Sequence, residues 1–131
     1  MRRLESCQRR LGELAKQGLK EFLGDEVSID LAERNLQIGI QCLLDIGNHI
    51  IAERGFQVPE SNEDIFRILG KHGVIPKDFA SKIEGMAGFR NILVHDYLEI
   101  DPRKVYQNLL NALKDFDEFA RYIVGYIEGQ K

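Results

Sequence analysis

Only two cysteines occur in the 131 residues, Cys7 and Cys42. They have no C-x-x-C spacing and each falls inside a helical pattern, so neither a disulfide framework nor a zinc knuckle is indicated and both read as buried free thiols. Long apolar runs are missing as well. Gln, Asp and Asn break them within a few residues, and no membrane span is predicted. The start, Met1-Arg2-Arg3-Leu4-Glu5, lacks an apolar signal core, which makes the cytosol the expected location. Nor is there an excess of positive charge: with 18 basic against 21 acidic residues the net charge is -3, so any contact with nucleic acid has to be local. The histidines, His49, His72 and His95, include no i, i+4 pair and no H-E-x-x-H, and no metal site is expected from them. No G-K-[ST] follows a glycine run, which removes the usual support for nucleotide hydrolysis. No cofactor is expected.

What the chain does have is apolar residues at three- and four-residue steps almost throughout, with no strict alternation that would make a strand. The predicted class is all-α, an up-and-down bundle of about five helices. The length fits one domain over 1–131, large enough to bury roughly two-thirds of its unfolded surface without cross-links. A first helix is predicted from about Leu4 to Phe22, with Leu4, Cys7, Leu11, Leu14 and either Gly18 or Leu19 on one stripe and Gly24-Asp25 as the stop. Its other face carries Arg2, Arg3, Arg9, Arg10, Lys16 and Lys20, which serves either as a solvated face or as a phosphate-contacting one. A second helix is expected over Ile29 to Arg54, on a stripe of Ala32, Leu36, Ile40, Leu43, Gly47 and Ile50, with Gly55 at its C-cap. Gly39, Leu43 and Gly47 stand four apart on it, and glycines so spaced allow another helix to approach closely. A polar stripe of Gln41, Asp45, Asn48 and His49 faces either water or a cleft.

Ser61 reads as the N-cap of a short helix that ends near His72 before Gly73. Asp78 reads as the cap of a fourth helix running through Ile83 and Met86 into Arg90. The last helix opens on Asp101 as cap and Pro102 at the first position, and continues through Val105, Leu109, Ala112, Phe116, Phe119, Ile123 and Ile127.

The segment Phe89 to Tyr97 stands apart in composition. Arg90, Asn91, His95 and Tyr97 alternate with Ile92, Leu93 and Val94, so polar groups are held by apolar anchors. On a helix Asn91 and His95 are i, i+4 neighbours, while Arg90 and His95 point about 140° apart. Read for structure alone, the arginine pairs a carboxylate, the histidine complements a helix C-terminus and the tyrosine caps the core. Read for chemistry, they suit RNA cleavage through the 2′-hydroxyl, which requires a base, an acid and positive charge at the phosphate, but no protein nucleophile and no metal. Histidine titrates near neutrality and arginine forks onto two phosphate oxygens. A single histidine does not readily serve as base and acid at once. A two-fold dimer supplies His95 twice across one cleft, so the catalytic reading carries a homodimer with it.

Arg90, His95 and Tyr97 together resemble the R-x(4)-H-x-Y motif of HepT-like HEPN toxins. The resemblance extends to Glu33-Arg34-Asn35-Leu36-Gln37, to Leu44 through Ile51, to Gly85-Met86-Ala87-Gly88-Phe89 and to Ile100-Asp101, and so covers essentially the whole chain. It implies a HEPN-like helical bundle, a homodimer or higher assembly, and metal-independent endoribonuclease action at a dimer cleft. It also implies Arg90 and His95 as catalytic residues with Asn91 supporting or orienting them. The implied partners are an RNA substrate and a minimal nucleotidyltransferase (MNT) antitoxin of a type VII toxin-antitoxin pair, with Tyr97 as acceptor of AMP groups. Two other readings stay open: a non-catalytic helical module that binds a nucleotidyltransferase or nucleotides, and a bundle in which the motif is structural.

Overall fold

A computed structural model describes residues 2–95 and 100–129, and all the regular structure among them is helical. Six helices follow one another: α1 (Arg2–Ala15), α2 (Leu19–Leu23), α3 (Glu26–Arg54), α4 (Asn62–Lys71), α5 (Lys77–Leu93) and α6 (Pro102–Gly129). The all-α reading holds, with six helices where about five were expected because the first stretch divides. Gly18 takes φ 81°, a left-handed value that suits glycine, and there the chain leaves the α1 axis. The new direction buries Phe22, whose ring lies 5.0 Å from that of Tyr106. The Tyr106 hydroxyl in turn donates to the carbonyl of Ala15 at 2.9 Å, joining the Gly18 N–H on that acceptor at the end of α1. Leu19, a candidate for the α1 stripe, is accordingly 43% exposed.

The long helix α3 is central and packs against each of the other five. It begins three residues before the expected Ile29, because Asp25 is its N-cap and not merely the stop of the preceding segment. The Asp25 carboxylate accepts from the backbone N–H of Val27 and Ser28 and from the Ser28 hydroxyl, the last at 2.8 Å. Those bonds hold the Asp25 carboxyl below its ordinary pKa, the Ser28 hydroxyl being the first cause. Gly55 ends the helix at φ 70°, as its C-cap.

The spaced glycines of α3 do what their spacing predicts. A Cβ on Gly39 would run into the Phe116 ring, and one on Gly47 would meet Ile65 Cγ2 at 2.7 Å and Leu69 Cδ1 at 3.0 Å. One side of α3 thus receives α6 and another receives α4, each seated against bare backbone. Ala32, Leu36, Ile40, Leu43 and Ile50 fill the surrounding core, together with Phe66, Phe119 and Ile123.

The remaining ends follow local chemistry. The Ser61 hydroxyl caps α4 by accepting from Asp64 N–H. α5 starts after Pro76, two residues earlier than expected: Asp78 sits in the first turn and Pro76 occupies the N-cap, since its fixed φ presets the turn. Asp101 caps α6 through Arg103 N–H at 2.9 Å. The buried stripe of α6 runs to Ile123, but Ile127 is 52% exposed because the helix outruns its neighbours. Among the described residues α6 is tied to α5 where the rings of Phe79 and Tyr122 meet edge-on and where Lys82 Nζ lies 3.2 Å from the buried Asp115 carboxylate and 3.9 Å from that of Glu118.

Replacing Gly39 by alanine will force Phe116 to shift and lower unfolding stability by about 1–3 kcal/mol. The control is Gly12→Ala in α1, where a Cβ meets nothing within 4 Å and the change will be neutral or stabilising by about 0.5–1 kcal/mol. Denaturant titration of the two variants compares them, and equal behaviour would remove the close-approach argument.

Candidate active site at the end of the fifth helix

The polar segment starts inside α5 and finishes outside it. The backbone N–H of Val94 still reaches the Arg90 carbonyl at 3.2 Å, but His95 N–H turns to the Ile92 carbonyl at 3.1 Å, closing a tighter turn. The helix ends at Leu93. His95 is therefore not a helical residue, and the angle of about 140° between it and Arg90 on a straight helix does not describe the molecule. His95 is exposed, past the helix end. Tyr97 lies outside the described residues.

Arg90 turns the other way, toward the middle of α3 and the beginning of α1. It lines a cavity of about 170 Å³ together with Arg3, Gln37, Ile38, Gln41, Cys42 and Asp45. Its Nε is buried and meets no acceptor among the described residues. On the opposite wall Gln41 Nε2 donates to Asp45 Oδ1 at 2.7 Å, which fixes both side chains. Cys42 is half-buried in that wall, and burial pushes its thiol pKa up although the Arg3 charge pulls it down. Cys7, fully buried one turn from Arg3, is raised for the same first reason. The thiols therefore stay protonated and unreactive at neutral pH.

The polar stripe of α3 is divided by this arrangement. Gln41 and Asp45 face the cavity, whereas His49 is exposed and pairs with Glu53 at 3.2 Å. Asn91 was expected to support or orient Arg90 and His95. Its Oδ1 accepts from Asn62 Nδ2 at 3.3 Å, tying the last turn of α5 to the first residue of α4, and it does not line the Arg90 cavity. Among the described residues, Arg90 is the one member of the expected set that does. Arg3, Gln37 and Cys42 were not candidates for the site. Arg3 was visible only as part of a basic face, and the other two carried no signal until α3 was placed against α5.

A shape and sequence of this kind have known counterparts. Residues 4–123 match the family model described as ribonuclease HepT-like. The chain belongs to that family. Among curated members, the tRNA nuclease HepT of Aphanizomenon flos-aquae is 32% identical over 128 residues, covering 95% of this chain and 87% of the relative. The mRNA nuclease HepT of Shewanella oneidensis is 30% identical over 120 residues, with 92% and 90% covered. Among solved structures, the tri-AMPylated Shewanella oneidensis HEPN toxin in complex with MNT antitoxin superposes with a TM-score of 0.85 at 29% identity, covering 94% of this chain and 92% of that one. The fold is thus that of HEPN toxins, and the resemblance first seen in Arg90, His95 and Tyr97 is a family relationship along nearly the whole chain. No helix among the described residues is long and apolar enough to cross a membrane.

The Asn62–Asn91 bond is exposed, so each of Asn62→Ala and Asn91→Ala will lower stability by under about 1 kcal/mol. The double variant will cost no more than the larger single change, because both delete one bond. Thermal melts of the four proteins provide the cycle, and strict additivity would show that the bond does not form in solution.

Proposed function

We propose that this HepT-like protein is the toxin of a type VII pair, a metal-independent endoribonuclease of the cytosol whose cleft forms between two copies of the chain. The observation that carries the reading is Arg90: its guanidinium lines a polar cavity, with a buried Nε that meets no acceptor among the described residues. A phosphate oxygen is the acceptor such a group takes, in a bidentate and charge-assisted bond. The relatives named as nucleases support the same reading.

In the proposed reaction the 2′-hydroxyl of the RNA attacks its own adjacent phosphorus. One His95 takes the hydroxyl proton as the P–O bond forms. Arg90 offsets the negative charge that gathers on the crowded phosphate, and a second His95 gives a proton to the departing 5′-oxygen. The products are a 2′,3′-cyclic phosphate and a 5′-hydroxyl. Nothing in this sequence requires a metal ion, and the two histidines come from the two copies. The surface beside the motif suits such pairing. Ile92 on the last turn of α5 and Val94 just past its end are exposed, and Ile92 lines an open hollow of about 660 Å³ with Gly85, Gly88, Phe89 and Ile100 among others.

Asn91 supports the site indirectly in this scheme, by bracing the end of α5 through Asn62. Tyr97 is proposed as the acceptor of AMP from an MNT-type nucleotidyltransferase antitoxin, as the AMPylated state of the Shewanella toxin encourages. Bulk and negative charge placed two residues from His95 would block RNA.

The test is cleavage of a labelled RNA by the purified full chain in EDTA. Wild type is expected to cut, with cyclic phosphate ends, and His95→Ala and Arg90→Ala to lose on the order of 10²-fold or more in rate. Sedimentation of the same samples is expected to show dimers. Uncut RNA with retained nucleotidyltransferase binding would replace the reading with that of a binding module, and full activity in His95→Ala would overturn it.

A further inference from the structure

Arg3 and Arg10 stand seven residues apart on α1, so they leave the helix along nearly the same stripe with roughly 10 Å of rise between them. Arg3 lines the Arg90 cavity. Arg10 lines a second cavity on the same seam between α1 and α3, of about 290 Å³, together with Glu13, Leu14, Gln17, Leu31 and Asn35. This second cavity holds two buried amide oxygens, Asn35 Oδ1 and Gln17 Oε1, that meet no donor among the described residues. Asn35 is only 4% exposed. The Asn35 amide is not free to turn over. Asn35 Nδ2 donates to the Leu31 carbonyl at 2.8 Å. The Asn35 oxygen is therefore a committed acceptor, with the Gln17 amide beside it, and a buried acceptor without a donor carries a desolvation penalty that a donor-bearing ligand relieves.

The walls narrow the chemistry of that ligand. Leu14 and Leu31 are apolar, and Leu31 keeps 47% of its surface exposed at the cavity. Arg10 beside them offers a partner for a phosphate, and the Glu13 carboxylate on the same wall is a further acceptor for N–H donors. Apolar faces, an edge with N–H donors and an attached phosphate describe a nucleotide whose base carries an exocyclic amino group. Uracil offers a single N–H, at N3, and no amino group.

The geometry points to this α1–α3 cavity as a subsite for an amino-bearing nucleobase, adenine, cytosine or guanine, in the RNA whose backbone reaches Arg90. It rests on the ribonuclease reading above and adds a source of sequence preference to it. Asn35 and Gln17 accept from the base edge, Leu14 and Leu31 flank its faces, and Arg10 holds the phosphate. The rise from Arg3 to Arg10 is the span of roughly three stacked nucleotides at about 3.4 Å each, which places the selected base a few positions from the cut.

The experiment is sequencing of the ends that the wild-type full chain produces from a randomised RNA. Uracil is expected to be depleted at one fixed position near the cut, by roughly tenfold, as the loss of a good pair of base-edge bonds dictates. Gln17→Leu removes one acceptor and Leu31→Glu alters an exposed wall without touching the core. Both, shown folded by circular dichroism, are expected to flatten the bias at that position, whatever their overall rates. RNA cut without positional bias, or with a bias that survives both variants, overturns the subsite and leaves the ribonuclease reading standing. RNA that wild type does not cut at all overturns the reading beneath it, and the subsite with it.

Discussion

The rest of the molecule depends on how closely α3 lets its neighbours approach. Gly39 and Gly47 leave strips of bare backbone on one helix, and the Phe116 ring and the Ile65 and Leu69 side chains occupy them. Each glycine weakens the isolated helix by about 1 kcal/mol relative to alanine. The packing they permit more than offsets this, because a buried phenylalanine or leucine contributes roughly 1.5–3 kcal/mol on leaving water. With α4 and α6 seated so near, α5 is held against α3 as well, and its last turn is placed beside Gln41 and Asp45.

That placement explains why the polar segment divides its labour. Residues 90 and 91 both belong to α5, yet one turns inward between α1 and α3 and the other reaches across to α4. His95 follows the end of the helix and is released from its periodicity. Had the helix continued one more turn, Arg90 and His95 would have been fixed on different faces. Ending it at Leu93 frees the backbone to set the histidine by a turn, in reach of a neighbouring copy in the proposed dimer.

Much of the fold was legible because its signals are local. Asp101 and Pro102, Ser61 with Asp64, and Gly55 each act within a few residues, and the stripes of α3 and α6 repeat over many turns. The division at Gly18 was harder to see. Leu19 continues the stripe of α1 in register, and only the burial of Phe22 against Tyr106, 84 positions later in the chain, favours the bend. Ile127 misled for the complementary reason, since periodicity does not say where the partner surface stops. The motif itself could be found in the sequence, but not its surroundings. Arg3, Gln37 and Gln41 come from segments remote from Arg90, and nothing in their own neighbourhoods marks them as belonging together.

The bond from Val94 N–H to the Arg90 carbonyl has a further consequence. It is among the last helical bonds of α5, and terminal turns open at a small fraction of the free energy needed to unfold a core. Each opening releases the chain beyond Leu93, His95 with it, while Arg90 stays within α5 and the packing around Gly39 and Gly47 is still intact. Amide exchange at Val94 would then be fast in a protein whose α3 amides exchange only by global unfolding. On warming, such a chain loosens the turn that carries His95 well before it melts.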